Sequence, residues 1–251
     1  RSSNWKEGYG YTVATEMYSA GIDRLTHQPL SFSVSETTEG VHIHIIDAEL
    51  MGKGEKEKKD LYIEGIQNNG IINHYEYIIN SEGTIEIRHV LKPEGKMPLW
   101  FPRIGLTLTV SDALDQVKWY GRGPQENYPD RKTGYPTGIY ASTVQAMYEP
   151  YLMPQDYGLR TDVRWLQLTT DKGIGLQFKM NEWFNFNIYP YSTDNLTKAM
   201  YTYQLQKQKG MTLNLDYATT GVGCTARGVF GAYKAMPQEY RRTISIRPMM
   251  K

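Results

Sequence analysis

The constraint that bears hardest on this chain is its period. Apolar residues recur at every second position in short runs, and nowhere hold a 3.6-residue spacing for more than about two turns. Leu30, Phe32 and Val34 share one strand face, and Val41, Ile43 and Ile45 share another. Both runs read as half-buried antiparallel strands. Further strands are predicted at 61–63, 73–79, 84–91, 107–110, 117–120, 164–169, 175–179, 184–188, 202–205, 212–217 and 243–247. Ser81-Glu82-Gly83 is the turn inside one pair, and the Lys/Glu run 52–60 is a solvated hairpin connection. Strand-sized segments about 8 to 12 residues apart make the class all-β, and periodicity alone leaves sandwich and jelly roll both open. Helix signals are few. Ser142 with Gln145 has capping-box spacing and predicts a turn over 143–147, and Ser192 can cap a short helix over 194–199. Residues 1–20, with Gly8-Tyr9-Gly10-Tyr11, read as an arm or a weak edge.

One strand runs into a loop dense in punctuation: Trp119-Tyr120-Gly121-Arg122-Gly123-Pro124-Gln125-Glu126-Asn127-Tyr128-Pro129-Asp130-Arg131. Two glycines and two prolines make it stiff. Arg122, Glu126, Asp130 and Arg131 bring two charges of each sign, with Asn127 among them. Taken as chemistry, Glu126 and Asp130 are an acid/base pair; taken as structure, they are a satisfied polar network, the reading favoured because buried charges are usually paired. On it, Arg122 and Arg131 engage carboxylates or carbonyls inside the fold.

That stretch closely resembles a motif in the C-terminal β-sandwich of family 2 bacterial β-galactosidases. Other segments match in the same order: Met97-Pro98-Leu99-Trp100-Phe101-Pro102-Arg103-Ile104-Gly105, Tyr148-Glu149-Pro150-Tyr151 with Pro154-Gln155, and Gly158-Leu159-Arg160-Thr161-Asp162-Val163-Arg164-Trp165. Tyr191-Ser192, Leu215-Asp216-Tyr217 and Gly221-Val222-Gly223 follow. The resemblance implies a large antiparallel two-sheet sandwich, the supersandwich similar to galactose mutarotases, with one or two very short helices. It implies one domain over 1–251, beginning inside the family's domain without its first strands, in keeping with an opening Arg1 that no methionine precedes. In that family both catalytic glutamates belong to a (β/α)8 barrel upstream, so no catalytic residue is expected in this chain, and the fragment alone is expected to be inactive. The domain packs on that barrel and borders the β-galactoside cleft, with an aromatic residue in the loop after the Gly-Val-Gly segment. Here glycine stands where the family has tryptophan, leaving Phe230, Tyr233 and Arg227 as cleft candidates. The loops 148–160 and 221–235 are expected at the same end or edge of the sandwich, exposing Tyr148, Tyr151, Tyr157, Phe230 and Tyr233. A homo-oligomeric parent in the bacterial cytoplasm or periplasm is also implied.

Composition bounds the alternatives. Net charge is +1 over 251 residues, with no basic patch, so nucleic acid is not an expected partner. Apolar runs fall far short of the ~20 residues of a membrane-spanning helix. Cys224 is the single cysteine, so no internal disulfide forms. His42 and His44 point to one strand face, but no third ligand stands near them in sequence, so the pair reads as two imidazoles on a polar face and neither metal nor cofactor is expected. Two alternatives keep a place. The first is a carbohydrate-binding module using Trp165, Trp183 and the 20 tyrosines, although both tryptophans read better as core. The second is an aldose epimerase-like enzyme using His74 or His89 with Glu126.

Overall fold

The computed structural model describes Met17 and residues 20–52, 69–223 and 228–250. The strand expected at 61–63, the connection at 52–60 beyond Gly52, the arm at 8–11, Cys224 and Arg227 lie outside the described residues. The chain is all-β and antiparallel, and its described residues group into two compact units, Arg1–Phe101 with Met236–Thr243 and Pro102–Ala235 with Ile244–Lys251.

The first unit holds a meander of β1 (Thr26–Thr37), β2 (Gly40–Leu50), β3 (Gly70–Ile79) and β4 (Ile85–Glu94). Between β3 and β4 the Asn80 side chain accepts the amides of Glu82 and Thr84 at 3.1 and 3.0 Å, which closes the turn. Register sorts the meander into two faces. Phe32, Ile45, Tyr75 and His89 lie in one row, Val34, Ile43, Tyr77 and Ile87 in the next, and between them they make the apolar face. Ser33, His44, Glu76 and Arg88 form a row on the polar face. The half-buried reading fails for β1, where Leu30, Phe32 and Val34 are 50, 69 and 54% exposed. Alternation fixes which face a side chain joins, not whether another layer covers it.

His89 is the buried polar centre of the apolar face. Its ring stacks on Tyr75 at 4.1 Å, and Nε2 lies 3.1 Å from the Asn73 Oδ1, while Asn73 donates to Asp47 at 3.0 Å. Burial, with a smaller contribution from His74, pushes the imidazole down to about 4.

The second unit holds β5 (Arg103–Val110), β6 (Gln116–Arg122), β7 (Thr137–Thr143), β8 (Arg160–Thr169), β9 (Gly175–Tyr189) and β10 (Met211–Thr219), and takes in part of β11 (Tyr240–Met249). Pairing runs β7-β6-β8-β9-β10-β5. The strands expected separately at 175–179 and 184–188 are one strand, β9. Its first part pairs with Ile244–Met249 of β11 and its last part with β10, so one strand changes neighbour along its length. The core is Trp119, Leu159, Val163, Leu166, Phe178, Phe184, Phe186 and Leu213, each at most 1% exposed. Phe186 meets the Trp119 ring edge-on at 6.0 Å.

Several local expectations are corrected. Residues 202–205 hold a 3-10 turn, Thr202–Gln204, rather than a strand. The turn after β7 is capped by Thr143, whose hydroxyl accepts the Ala146 amide at 3.1 Å, rather than by Ser142. No strand is predicted from the sequence over 137–143, where the structure has β7. Trp183 is not core: it is 59% exposed, with the Arg164 guanidinium 4.2 Å above its ring, and Trp165 is half-buried. Helix α1 (Thr193–Lys198) does begin at Ser192, whose hydroxyl accepts the Asn195 amide at 3.0 Å.

The displaced imidazole generates a pH prediction. A folded-state value below the ordinary 6.5 means that the fold favours neutral His89, so this stability is complete above pH 6.5 and is lost as pH falls towards about 4. The full effect is about 3 kcal/mol. Urea unfolding at a series of pH values should show that slope in the parent and a shallower one in His89→Asn; equal slopes would place the proton elsewhere.

Candidate functional site

The loop after β6 spends its charges on partners within its own unit. Trp119 begins the arrangement: its indole N–H donates to the Arg122 carbonyl at 3.0 Å, pinning the chain where the strand ends. Gly121 is required there, since a Cβ would stand 2.8 Å from the Val163 Cγ2 and 3.0 Å from its Cα on β8. Arg122 donates to the carbonyls of Lys132 and Tyr135 at 3.0 and 2.9 Å and pairs through Nε with Asp162. Lys132 Nζ reaches the same carboxylate at 2.7 Å. Burial would raise Asp162, but the hydrogen bonds from Lys132 and Arg122 outweigh it and hold the carboxyl below the usual range. Asp162 also has φ 55, a left-handed conformation for a non-glycine residue, where β8 departs from regular pairing.

Glu126 and Asn127 are buried. Glu126 accepts from Arg131, from the Tyr151 hydroxyl and, at 2.9 Å, from the Gly158 amide. Burial first, and the bond to Glu126 second, push the Tyr151 phenol up to about 12, so it remains a donor. Asn127 Oδ1 accepts from the amide and hydroxyl of Thr161 at 3.1 and 2.5 Å. Asp130 faces the other way and accepts the amides of Val222 and Gly223 at 3.1 and 2.7 Å. Gly221 makes that approach feasible, because a Cβ there would lie 2.4 Å from the Asp130 carboxyl carbon. One loop thus holds two others: Glu126 fixes the segment 148–160 and Asp130 fixes the start of 221–235.

Phe230 and Tyr233, the described cleft candidates, follow that anchor along the chain. The Gly221 amide donates to the Tyr233 carbonyl at 2.9 Å, and the Ala235 amide to the Thr220 hydroxyl at 2.9 Å, which closes the base of the loop. Phe230 and Tyr233 are 75 and 40% exposed, around the 3-10 turn Gly231–Tyr233. The aromatics of 148–160 behave differently from the expectation: Tyr157 is buried, and Tyr148 and Tyr151 are half-buried against it. Tyr157 packs on Tyr189 at 5.4 Å, and its ring is met edge-on by Tyr148 at 5.3 Å.

Sequence reasoning missed a second polar network. Arg103 donates to Asp216 through Nη2 and Nε at 2.8 and 3.2 Å, to Asn187 at 3.3 Å and to Asp156 at 3.4 Å. Asp156 also accepts from Asn187 and the Tyr189 hydroxyl at 2.9 and 3.1 Å. Burial pushes the Asp216 carboxyl up to about 6, against the pull of Arg103. On Arg103 burial works against the charge, but Asp156 and Asp216 more than offset it and raise the guanidinium. Two guanidinium bonds to one carboxylate are the geometry of an ion pair, and the pair is charged at neutral pH. Arg103, Asp156 and Asp216 come from segments far apart in the chain, so spacing could not have joined them.

Fold and site together define an antiparallel β chain whose charged loop anchors two other loops. The particular family follows from comparison. The family model described as "Beta galactosidase small chain" matches residues 5–246, and the chain belongs to that family. A β-galactosidase of Vibrio cholerae is 31% identical over 207 residues, which are 82% of this chain and 18% of that protein. One from Priestia megaterium is 38% identical over 147 residues, 59% of this chain and 14% of that protein. The chain thus spans less than a fifth of the length of these relatives. A solved GalM/aldose epimerase homologue from C. elegans covers 87% of this chain and 68% of its own, at 12% identity and a TM-score of 0.41, a likeness too slight to carry a conclusion.

The anchor can be tested through Arg122. Arg122→Ala strips two carbonyls and one carboxylate of a donor, and unfolding in urea should show a loss of about 1 to 3 kcal/mol. Arg122→Lys should recover only part of it, since an ammonium cannot reproduce the fork. An unchanged midpoint in the alanine variant would remove the anchor role.

Proposed function

We propose that this chain is the C-terminal, non-catalytic part of a β-galactosidase polypeptide that hydrolyses terminal non-reducing β-D-galactose residues, packing on its (β/α)8 catalytic domain and bordering the substrate cleft. The observation that carries the reading is the family match over 5–246 in a chain that amounts to only 14 to 18% of these relatives. The geometry is consistent with it. Retaining hydrolysis needs two carboxyls about 5 to 5.5 Å apart, one of them free to attack. Glu126 and Asp130 are each committed to donors of the fold instead. Phe230 and Tyr233, held out from the anchored loop, are the rings offered to the sugar, with Arg227 beside them in sequence.

Two measurements test this. The chain alone should not hydrolyse a nitrophenyl β-galactoside above buffer; turnover that disappears in Glu126→Gln would overturn the non-catalytic reading. In the full-length polypeptide, Phe230→Ala or Tyr233→Ala should raise KM about five- to tenfold with little change in kcat, the loss of one stacking contact. Unchanged KM in both would remove the cleft role from these residues.

One observation favours a second reading, carbohydrate binding away from the cleft. Tyr148, Tyr157, Tyr191, Asp112, Asp115 and Lys207 contribute to a cavity of about 350 Å³. The Tyr157 hydroxyl is buried without a hydrogen-bond partner. Galactose titrated into the chain should quench tyrosine fluorescence in the parent and not in Tyr191→Ala; absence of a saturable change in the parent would eliminate this reading.

A further inference from the structure

The polar face of the first unit gathers the one set of described residues that satisfies the donor requirements of a transition metal. His42 and His44 project from β2, and Glu76 projects from β3 directly opposite His44 in the register. One donor atom from each of the three lies within 4.8 Å of one from each of the others. Glu76 Oε1 is 3.5 Å from His42 Nδ1 and 4.0 Å from His44 Nε2, so a single oxygen faces both rings. Ligands about 2.0 to 2.1 Å from a tetrahedral ion stand roughly 3.4 Å from one another. The first distance already meets this. The second needs a closure of about half an ångström, and the imidazole pair, within 4.8 Å, one of up to about 1.4 Å; the exposed His44 ring, turning about χ1 and χ2, can supply both.

Two features separate this from an ordinary polar sheet face. The other oxygen of Glu76 is held by Arg88 Nη1 at 3.1 Å, and Arg88 is itself fixed by Glu86 at 2.8 Å, so the carboxylate is turned with Oε1 towards the imidazoles. The Nε2 of His42 is buried without a hydrogen-bond partner, and the nearest carboxylate oxygen, on Glu39, is 4.0 Å away. An ion on Nδ1 would fix the proton on that Nε2 and give Glu39 a donor to close upon. Ligating histidines usually have such an outer carboxylate.

We propose that His42, His44 and Glu76 form a binding site for a divalent transition ion of the zinc type, with Arg88 and Glu39 as orienting residues. Two imidazoles and one carboxylate favour Zn2+, Co2+, Ni2+ or Cu2+ over Mg2+ and Ca2+, which select all-oxygen shells. Three ligands leave the fourth position to water. The site is built from residues of the first unit alone, and the proposal does not rest on the galactosidase reading.

The test uses the whole chain, stripped with chelator and then titrated with Co2+ and with Zn2+ alone. Co2+ should bind at one equivalent with visible d–d bands of low-symmetry nitrogen and oxygen coordination, and Zn2+ should displace it. His44→Ala, which removes an exposed ring, and Glu76→Gln should each weaken Zn2+ binding roughly a hundredfold, while His27→Ala, on the neighbouring strand, should leave it unchanged. Imidazole NMR shifts of His42 and His44 on Zn2+ addition give a readout independent of the variants. No saturable binding to the parent, or binding retained in His44→Ala with the histidine shifts unmoved, would overturn the proposal.

Discussion

A buried carboxylate must find donors, and in this chain that requirement shapes the loops. Glu126 and Asp130 lie on the same loop, yet they bind amides and side chains from different stretches: Glu126 takes Arg131, Tyr151 and Gly158, and Asp130 takes Val222 and Gly223. Leaving the buried Glu126 unpaired costs on the order of 1 to 3 kcal/mol, more for a charge, and the half-buried Asp130 costs less. The loop geometry is therefore set by saturation of charges more than by propensity. Gly121 and Gly221 are the steric counterpart of the same rule, since each lets a backbone or a carboxylate come closer than a Cβ would permit.

The two polar networks of the second unit serve different ends. The one around Arg103 lies along β5, β9 and β10 and ties sheet strands together. The one around Arg122 lies at a strand end and ties loops. Both use arginine as the hub, because a planar fork of donors can serve several oxygens at fixed angles. Arg160, stacked over Trp119 at 5.4 Å, shows the cost of the choice: burial pulls its guanidinium down to about 10.

How much could be read from residues alone follows from the range of the forces. Class and most strands were legible, because alternation is local: β2, β3, β5, β6, β8, β10 and β11 all contain the segments named for them, and β4 begins one residue later than its segment. The turn Ser81-Glu82-Gly83 and the cap at Ser192 were legible for the same reason. The exposure of Phe32 and Trp183 was not, since covering a face is decided by whatever lies above it. The continuity of β9 escaped because its exposed middle, 181–183, breaks the apolar pattern without breaking the strand. At the candidate site the charged loop stood out by composition, but Asp162, Tyr151 and Gly158 gain their roles only through pairings across the fold. Glu76 is the sharpest case: it lies opposite His44 only once β2 and β3 are in register.

Strand β9 also says something about how such a chain must be made. Its first part is flanked by β8 and by β11, and its last part by β8 and β10, so its neighbours reach the ribosome exit at widely separated moments. Until Ile244–Met249 has been synthesised, one edge of β9 has open N–H and C=O groups and a half-built ladder. Sheets rich in such distant pairings fold slowly. For this architecture, the order of translation sets a waiting period during which an unfinished edge has to be kept from the wrong strand.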